Sequence, residues 1–231
     1  MSVPQCAPGA GEVGGCDDGR VIEGFVDAVR VLGGRPAADG CEGVAARLLE
    51  RWREPHRGYH DEQHLREVLA AVDTVRGAAL DLRGRAAVTL AAWYHDAVYE
   101  GRPGEDEEAS ARLAESELSA RGLDGGAAAR VAGLVRSTAE HRLPSDPDGP
   151  EAVLHDADLW ILASPPERFD EYCRQVRAEY PHVSDDDYSR GRRGVLTPFV
   201  TRPRLYATRD AHERWTAAAR ANLRRELARL G

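Results

Sequence analysis

The chain has 231 residues, 42% of them apolar and 30% charged, which is long enough for one large or two small domains with a sizeable core. No apolar run reaches the roughly 18 residues of a membrane span, and a net charge of −8 argues against a general binder of duplex nucleic acid, which must neutralise many phosphates. Small nucleotides need only a local basic pocket, and every one of the 31 basic residues that could build it is arginine.

The opening segment, MSVPQCAPGAGEVGGCDDGR, is rich in Gly and Pro and lacks the basic start and apolar stretch of a signal peptide. It reads as a disordered tail (1–20) on a cytoplasmic protein whose domain spans 21–231. Cys6, Cys16, Cys41 and Cys173 are irregularly spaced and read as free thiols. No catalytic role is assigned to Cys173.

From Val21 onward nearly every segment carries helical periodicity. Val21–Leu32 is amphipathic and stops at Gly33-Gly34-Arg35-Pro36; Cys41–Trp52 follows and breaks at 54–58. Asp61–Val75 carries the stripe Leu65, Val68, Leu69, Val72. Arg85–Tyr99 is the most apolar helix and is expected at the centre, ending before the tight loop 101–104. Glu105–Ala120 has an acidic first turn that suits a helix N-terminus. Ala127–His141, Glu151–Ala163, a helix from Pro165-Pro166 through Tyr180, Asp185–Val200 and Asp210–Leu230 complete the set. The expected architecture is all-α, a single bundle of about ten helices with no competing strand signal.

Within the apolar run Ala91–Tyr99 stand His95 and Asp96, side by side. Burying an imidazole and a carboxylate is costly unless something pairs with them, and a divalent ion does so for both. His64 in YHDEQH and Asp158 in LHDADLW are further candidates in helical, largely buried contexts. Neighbouring helix positions point about 100° apart, so a shared ion requires the helices carrying His64 and Asp158 to flank the central one.

The ordered set His64, His95-Asp96, Asp158 resembles the signature of the HD superfamily of metal-dependent phosphohydrolases. The resemblance is carried by RGYHDEQH (57–64), AAWYHDAVYEG (91–101), EDEEASA (105–111), STAEH (137–141), LHDADLWIL (154–162), YCRQVRAEY (172–180) and the Gly-Arg at 191–192. It implies an all-helical HD fold with His64, His95, Asp96 and Asp158 as ligands of a Mn, Fe, Co, Ni, Zn or Mg ion. Asp158 is favoured over Asp156 by the family's Ala-Asp context, which leaves Asp156 as a supporting residue or helix cap.

A phosphohydrolase cleaving a phosphate ester of a small molecule, such as a nucleotide, would follow. The ion would acidify a bound water, and Asp96 and Asp158 would orient or deprotonate it. Arg57 is the first choice for stabilising the phosphoryl oxygens, with Arg177 and Arg192 behind it. His141 is read as a catalytic pocket-wall residue, or as a ligand if a second ion is present. Tyr59, His60, Glu108 and Tyr180 are the remaining candidates for substrate contact. Two alternatives are a di-iron HD-fold oxygenase and a nucleotide-binding sensor without turnover.

Overall fold

The computed structural model describes residues 13–35, 40–75 and 80–231, which form ten α-helices and no strand. They are α1 (Val13–Val31), α2 (Cys41–Trp52), α3 (Glu62–Thr74), α4 (Leu82–Tyr94), α5 (Glu105–Ala120), α6 (Gly125–Ser137), α7 (Pro150–Asp158), α8 (Pro166–Glu179), α9 (Asp185–Thr201) and α10 (Arg209–Arg229). The helical bundle expected from the periodicity is present. None of the helices is long and apolar enough among the described residues to cross a membrane.

Local chemistry sets most of the boundaries. Asp61, Asp81, Asp124, Ser184 and Thr208 each accept a backbone N–H of the first turn that follows them, a bond the helix itself cannot supply. The N-terminal expectation needs correction, because α1 starts at Val13 and residues 13–20 are helical. Gly14, Gly15 and Gly19 hide this helix from a propensity reading. Tertiary ion pairs compensate: Asp18 lies 2.8 Å from Arg53 and also bonds Arg66 on α3. Residues 1–12, Cys6 and the Cys16 side chain lie outside the described residues. Cys41 and Cys173 are free and buried, and burial pushes the Cys173 thiol up to about 12, as suits an unreactive side chain.

Helix α4 is the axis of the bundle, packed against α1, α3, α5, α6 and α7. It is apolar on all sides, as a helix surrounded by others must be. Ala87, Ala91 and Ala92 let neighbouring backbones approach, while Leu90, Trp93 and Tyr94 fill the gaps. The Trp52 indole donates to the Trp93 carbonyl at 3.0 Å, and Phe25 meets Trp93 edge-on at 5.2 Å. This anchoring holds the C-terminal end of α4, where His95 begins.

Three helices end earlier than the periodicity predicts. The helix expected through Tyr99 stops at Tyr94, the one expected through His141 becomes a 3-10 turn at Thr138–Glu140, and the one expected through Ala163 becomes 3-10 after Asp158. Each early stop falls at a candidate site residue. Leu90 is wholly buried on α4. Leu90→Ala should therefore lower the unfolding free energy by about 2–5 kcal/mol, measured by denaturant titration.

Candidate metal centre

The end of α4 departs from regular α-helix through an i to i−3 bond from the Ala97 N–H to the Tyr94 carbonyl, 3.0 Å. The side-chain tips of His95 and Asp96 meet beside this turn, with His95 Nε2 3.3 Å from Asp96 Oδ2. His64, in the first turn of α3, faces them with its Nε2 3.1 Å from that of His95. Asp158 closes the group from the end of α7, its Oδ1 3.3 Å from His64 Nε2 and 3.6 Å from His95 Nε2. Asp96 Oδ2 stands 3.7 Å from His64 Nε2. His64, His95 and Asp158 are all buried and could hold one metal ion.

The donor chemistry fits a cation. His95 Nδ1 lies 2.8 Å from the Ala92 carbonyl, an acceptor only, so Nδ1 carries the proton and Nε2 presents a bare lone pair. That lone pair faces a second imidazole and two carboxylates, a set rich in acceptors and poor in protons. Ligand atoms about 2.0–2.2 Å from one ion lie roughly 3–3.5 Å apart, close to the spacings seen here. The C-terminal ends of α4 and α7 also contribute negative dipole ends at this point. Trp52 backs both imidazoles, with ring centroids 6.2 Å from His64 and 5.4 Å from His95.

The electrostatics have the same sign. Burial would raise the Asp96 and Asp158 carboxyls, but the neighbouring imidazoles hold both well below the usual carboxylate range. Burial works against the His95 imidazolium, yet Asp96 and Asp158 push it up to about 9.

Asp158 and Asp156 separate cleanly. Asp156 is fully buried and points away to the start of α10, accepting from the Ala207 N–H at 2.6 Å and from the Thr208 N–H and hydroxyl at 2.7 Å each. His155 Nδ1 bonds Asp156 Oδ1 at 2.9 Å. The Tyr206 hydroxyl donates to the Leu159 carbonyl, and the Asn222 amide donates to those of Leu162 and Ser164. Together these contacts pin the segment that follows Asp158.

Two buried side chains hold the loops around the cluster. Arg57 donates to the carbonyls of His60, Asp96 and Ala97 and to Glu54, with all five N–H groups engaged. Its guanidinium lies 5.5 Å from the ring centroids of both Trp52 and Tyr99. The expectation that Arg57 contacts phosphate is corrected accordingly, since none of its donors is free for a ligand. Glu179, at the end of α8, accepts the N–H groups of Gly58, Tyr59 and His60 at 2.8–3.0 Å on one oxygen. Its other oxygen meets His60 Nδ1 at 2.8 Å and the Tyr99 hydroxyl at 2.9 Å. The loop comes so close to α8 that a Cβ on Gly58 would lie 2.4 Å from the Gln175 carbonyl.

The cluster opens into a cavity of about 540 Å³. His60, stacked on Tyr99 at 4.2 Å, lines it together with Tyr59, His141, Tyr180 and Arg192. The Tyr59 ring is wedged between His64 and Tyr172, and its buried hydroxyl has no partner. His141 adopts a left-handed conformation, φ 44 and ψ 39, that few non-glycine residues take. Its carbonyl is held by Arg202 at 3.0 Å, and its Nδ1 comes within 3.6 Å of the second oxygen of Asp158. Burial lowers its pKa and keeps the ring neutral.

Two expected substrate residues are not brought to this site. Glu108 is on the surface, where Arg136 and Arg112 hold its carboxyl at about 2. Arg177 turns to the 180–185 loop, bonding the Tyr180 and Val183 carbonyls and Asp185. Both sit on helix faces turned from the cavity. In EDEEASA the Ser110 hydroxyl accepts the Val98 N–H at 3.0 Å and steadies the turn after Asp96, while Asp106 and Glu107 line the cavity and Asp106 accepts the Glu100 and Arg102 N–H groups.

Comparison with protein-family models, with curated proteins and with solved structures finds no match. The residues' own geometry is therefore the basis for a functional reading.

Two predictions follow from these contacts. Asp156→Ala leaves two buried N–H groups unbonded and should cost about 2–5 kcal/mol in unfolding free energy while the folded protein keeps its metal. Asp158→Ala should instead lose metal, as measured by elemental analysis, with helical content retained. Glu179 gives a pH signature. Burial raises its carboxyl, but His60 and the three N–H groups outweigh this and bring it down to about 2 from 4.5. A depressed folded-state pKa gives stability that is complete above about pH 4.5 and lost as pH falls towards 2. The stability difference between wild type and Glu179→Gln, from unfolding curves across pH, should shrink over that window.

Proposed function

We propose that the protein is a metal-dependent phosphohydrolase of the HD type, acting on a phosphate ester of a small molecule. The observation that carries this reading is the convergence of His64, His95 and Asp158, with Asp96 beside them, where a sizeable cavity begins. These four residues would hold the ion. A divalent ion there would supply Lewis acidity to a phosphoryl oxygen and lower the pKa of a water towards about 7–9.

The chain's own residues would do the rest. Asp96, the most accessible of the four, orients the attacking water. His141, neutral and fixed by its strained backbone, hydrogen-bonds the phosphoryl group from the side of Asp158. His60 delivers a proton to the leaving oxygen. Its Nδ1 is tied to Glu179, so Nε2 is the nitrogen available to a ligand. Burial opposes the imidazolium, but the hydrogen bond and charge of Glu179, with the charges of Asp96 and Asp158, outweigh it and raise the pKa of His60 above the ordinary imidazole value. That favours a general acid at neutral pH.

The test is elemental analysis of purified protein followed by a phosphomonoester screen with manganese, magnesium, cobalt and iron. The expected result is about one ion per chain and metal-dependent release of phosphate. His60→Gln should lower kcat by about 100-fold or more, flatten the alkaline fall of the pH profile and leave metal content unchanged. Two irons with oxygen-dependent turnover would replace this reading by the oxygenase. Tight nucleotide binding without hydrolysis in metal-replete protein would replace it by the sensor.

A further inference from the structure

Helix α9 forms one wall of the cavity through Tyr188, Arg192, Val195 and Phe199, the i, i+4, i+7, i+11 stripe of one helix face. Only Leu196 of this helix is fully buried, so α9 faces the cavity more than it faces the core. Arg192 differs from the other arginines near the site. Its Nε and Nη2 are both buried and neither forms a well-aligned hydrogen bond, Tyr172 being the polar side chain that interacts with the guanidinium. No other described residue has two such atoms.

These two nitrogens form the side edge of the guanidinium, whose paired N–H groups match the two oxygens of a carboxylate or phosphate. A buried cation with that edge unpaired is unfavourable until an acceptor arrives. The guanidinium lies 4.9 Å above the Tyr172 ring, Tyr172 meets Tyr59 at 4.5 Å, and Tyr59 meets His64 at 4.6 Å. The contact path from the fork to His64 thus runs through two aromatic rings, which assigns Arg192 to a different part of a ligand from the group at the metal ligands.

We propose that Arg192 is a specificity-determining residue that grips a second oxyanion on the substrate, at the opposite end of an apolar or aromatic body from the scissile phosphate. This rests on the phosphohydrolase reading for the identity of the first group. The surroundings favour one oxyanion over a polyphosphate chain. Arg102, the other arginine on the wall, is largely exposed and ion-paired with Glu105 at 3.6 Å. Asp187, the acid on the cavity side of α9, is paired with Arg190 at 2.7 Å. The ring faces of Tyr172, Tyr188 and Phe199 suit the apolar body between the two ends.

The test compares phenyl phosphate, para-carboxyphenyl phosphate, its methyl ester and para-phenylene bisphosphate on the metal-loaded full-length protein. Either charged tail should raise kcat/KM by about 10–100-fold over phenyl phosphate, mainly through KM, and the methyl ester should not. The carboxylate and bisphosphate arms report which oxyanion the fork prefers. Arg192→Met should bring the ratio close to one, and Arg192→Lys, which keeps the charge without the fork, should restore only part of it. The inference is overturned if wild type shows no tail preference, or if Arg192→Met lowers all four esters by one factor. Calorimetric binding of para-carboxyphenyl phosphonate keeps the two readings distinguishable. If no ester is cleaved yet this compound binds wild type at least tenfold more tightly than Arg192→Met, the hydrolase reading fails and the Arg192 site stands. Equal binding to both, with hydrolysis of phenyl phosphate intact, has the opposite meaning.

Discussion

The convergence of two imidazoles and two carboxylates on one point depends on where the helices that carry them stop. Adjacent positions of an α-helix point about 100° apart, so His95 and Asp96 share a ligand only through the reach of their side chains into the space between helices. Both stand where α4 ends, and their side-chain tips meet at 3.3 Å. Asp158 is likewise the last residue of α7 before the chain tightens to 3-10, and His141 follows a third helix that has already done so. Helix ends have the freedom that helix interiors lack, and the negative end of the helix dipole lies at a C-terminus. A site assembled from such ends is pre-set for a cation before any ligand side chain is counted.

Ends that are free to adopt this geometry must also be held in it. Arg57 does so for the 95–97 turn by bonding its carbonyls, and Ser110 bonds the next N–H. Glu179 does the same for the 58–60 loop with a single oxygen that receives three N–H groups. Asp156 ties α7 to the start of α10. Arg57, Glu179 and Asp156 are buried charges engaged mainly with backbone, which helps to satisfy them and fixes each loop in one position. His60 gains most from this arrangement, because the carboxylate that organises its loop also orients its ring.

The all-helical fold was legible because periodicity reports burial, and α4 stood out as the helix with no polar face. His64, His95, Asp96 and Asp158 were legible because charged groups in apolar runs need a partner. The helix ends were less so. Arg85–Tyr99 and Glu151–Ala163 keep their apolar pattern past the point where the backbone changes, since 3-10 and α-helix bury nearly the same residues. Glu179 was passed over in favour of Arg177 and Tyr180 in the same segment, although a signal was present. The buried stripe of α8 runs Phe169, Tyr172, Cys173, Val176, and its next position is Glu179. A carboxylate at a core register position marks a buried network more reliably than a nearby arginine marks a phosphate site.

Arginine misled the reading for a reason specific to this composition. With no lysine in the chain, every cationic task falls to a side chain that is also the best clamp for backbone carbonyls. Arg57, Arg177, Arg202 and Arg204 all bond main-chain oxygens of the loops beside them. Residue type and sequence proximity to His64 therefore favoured Arg57, whose donors are all engaged, over Arg192, whose fork is not. In such a chain the discriminating property of a substrate-binding arginine is the state of its donors. An arginine whose donors are all engaged is part of the scaffold, and one that keeps donors free on a cavity wall can still bind an acceptor.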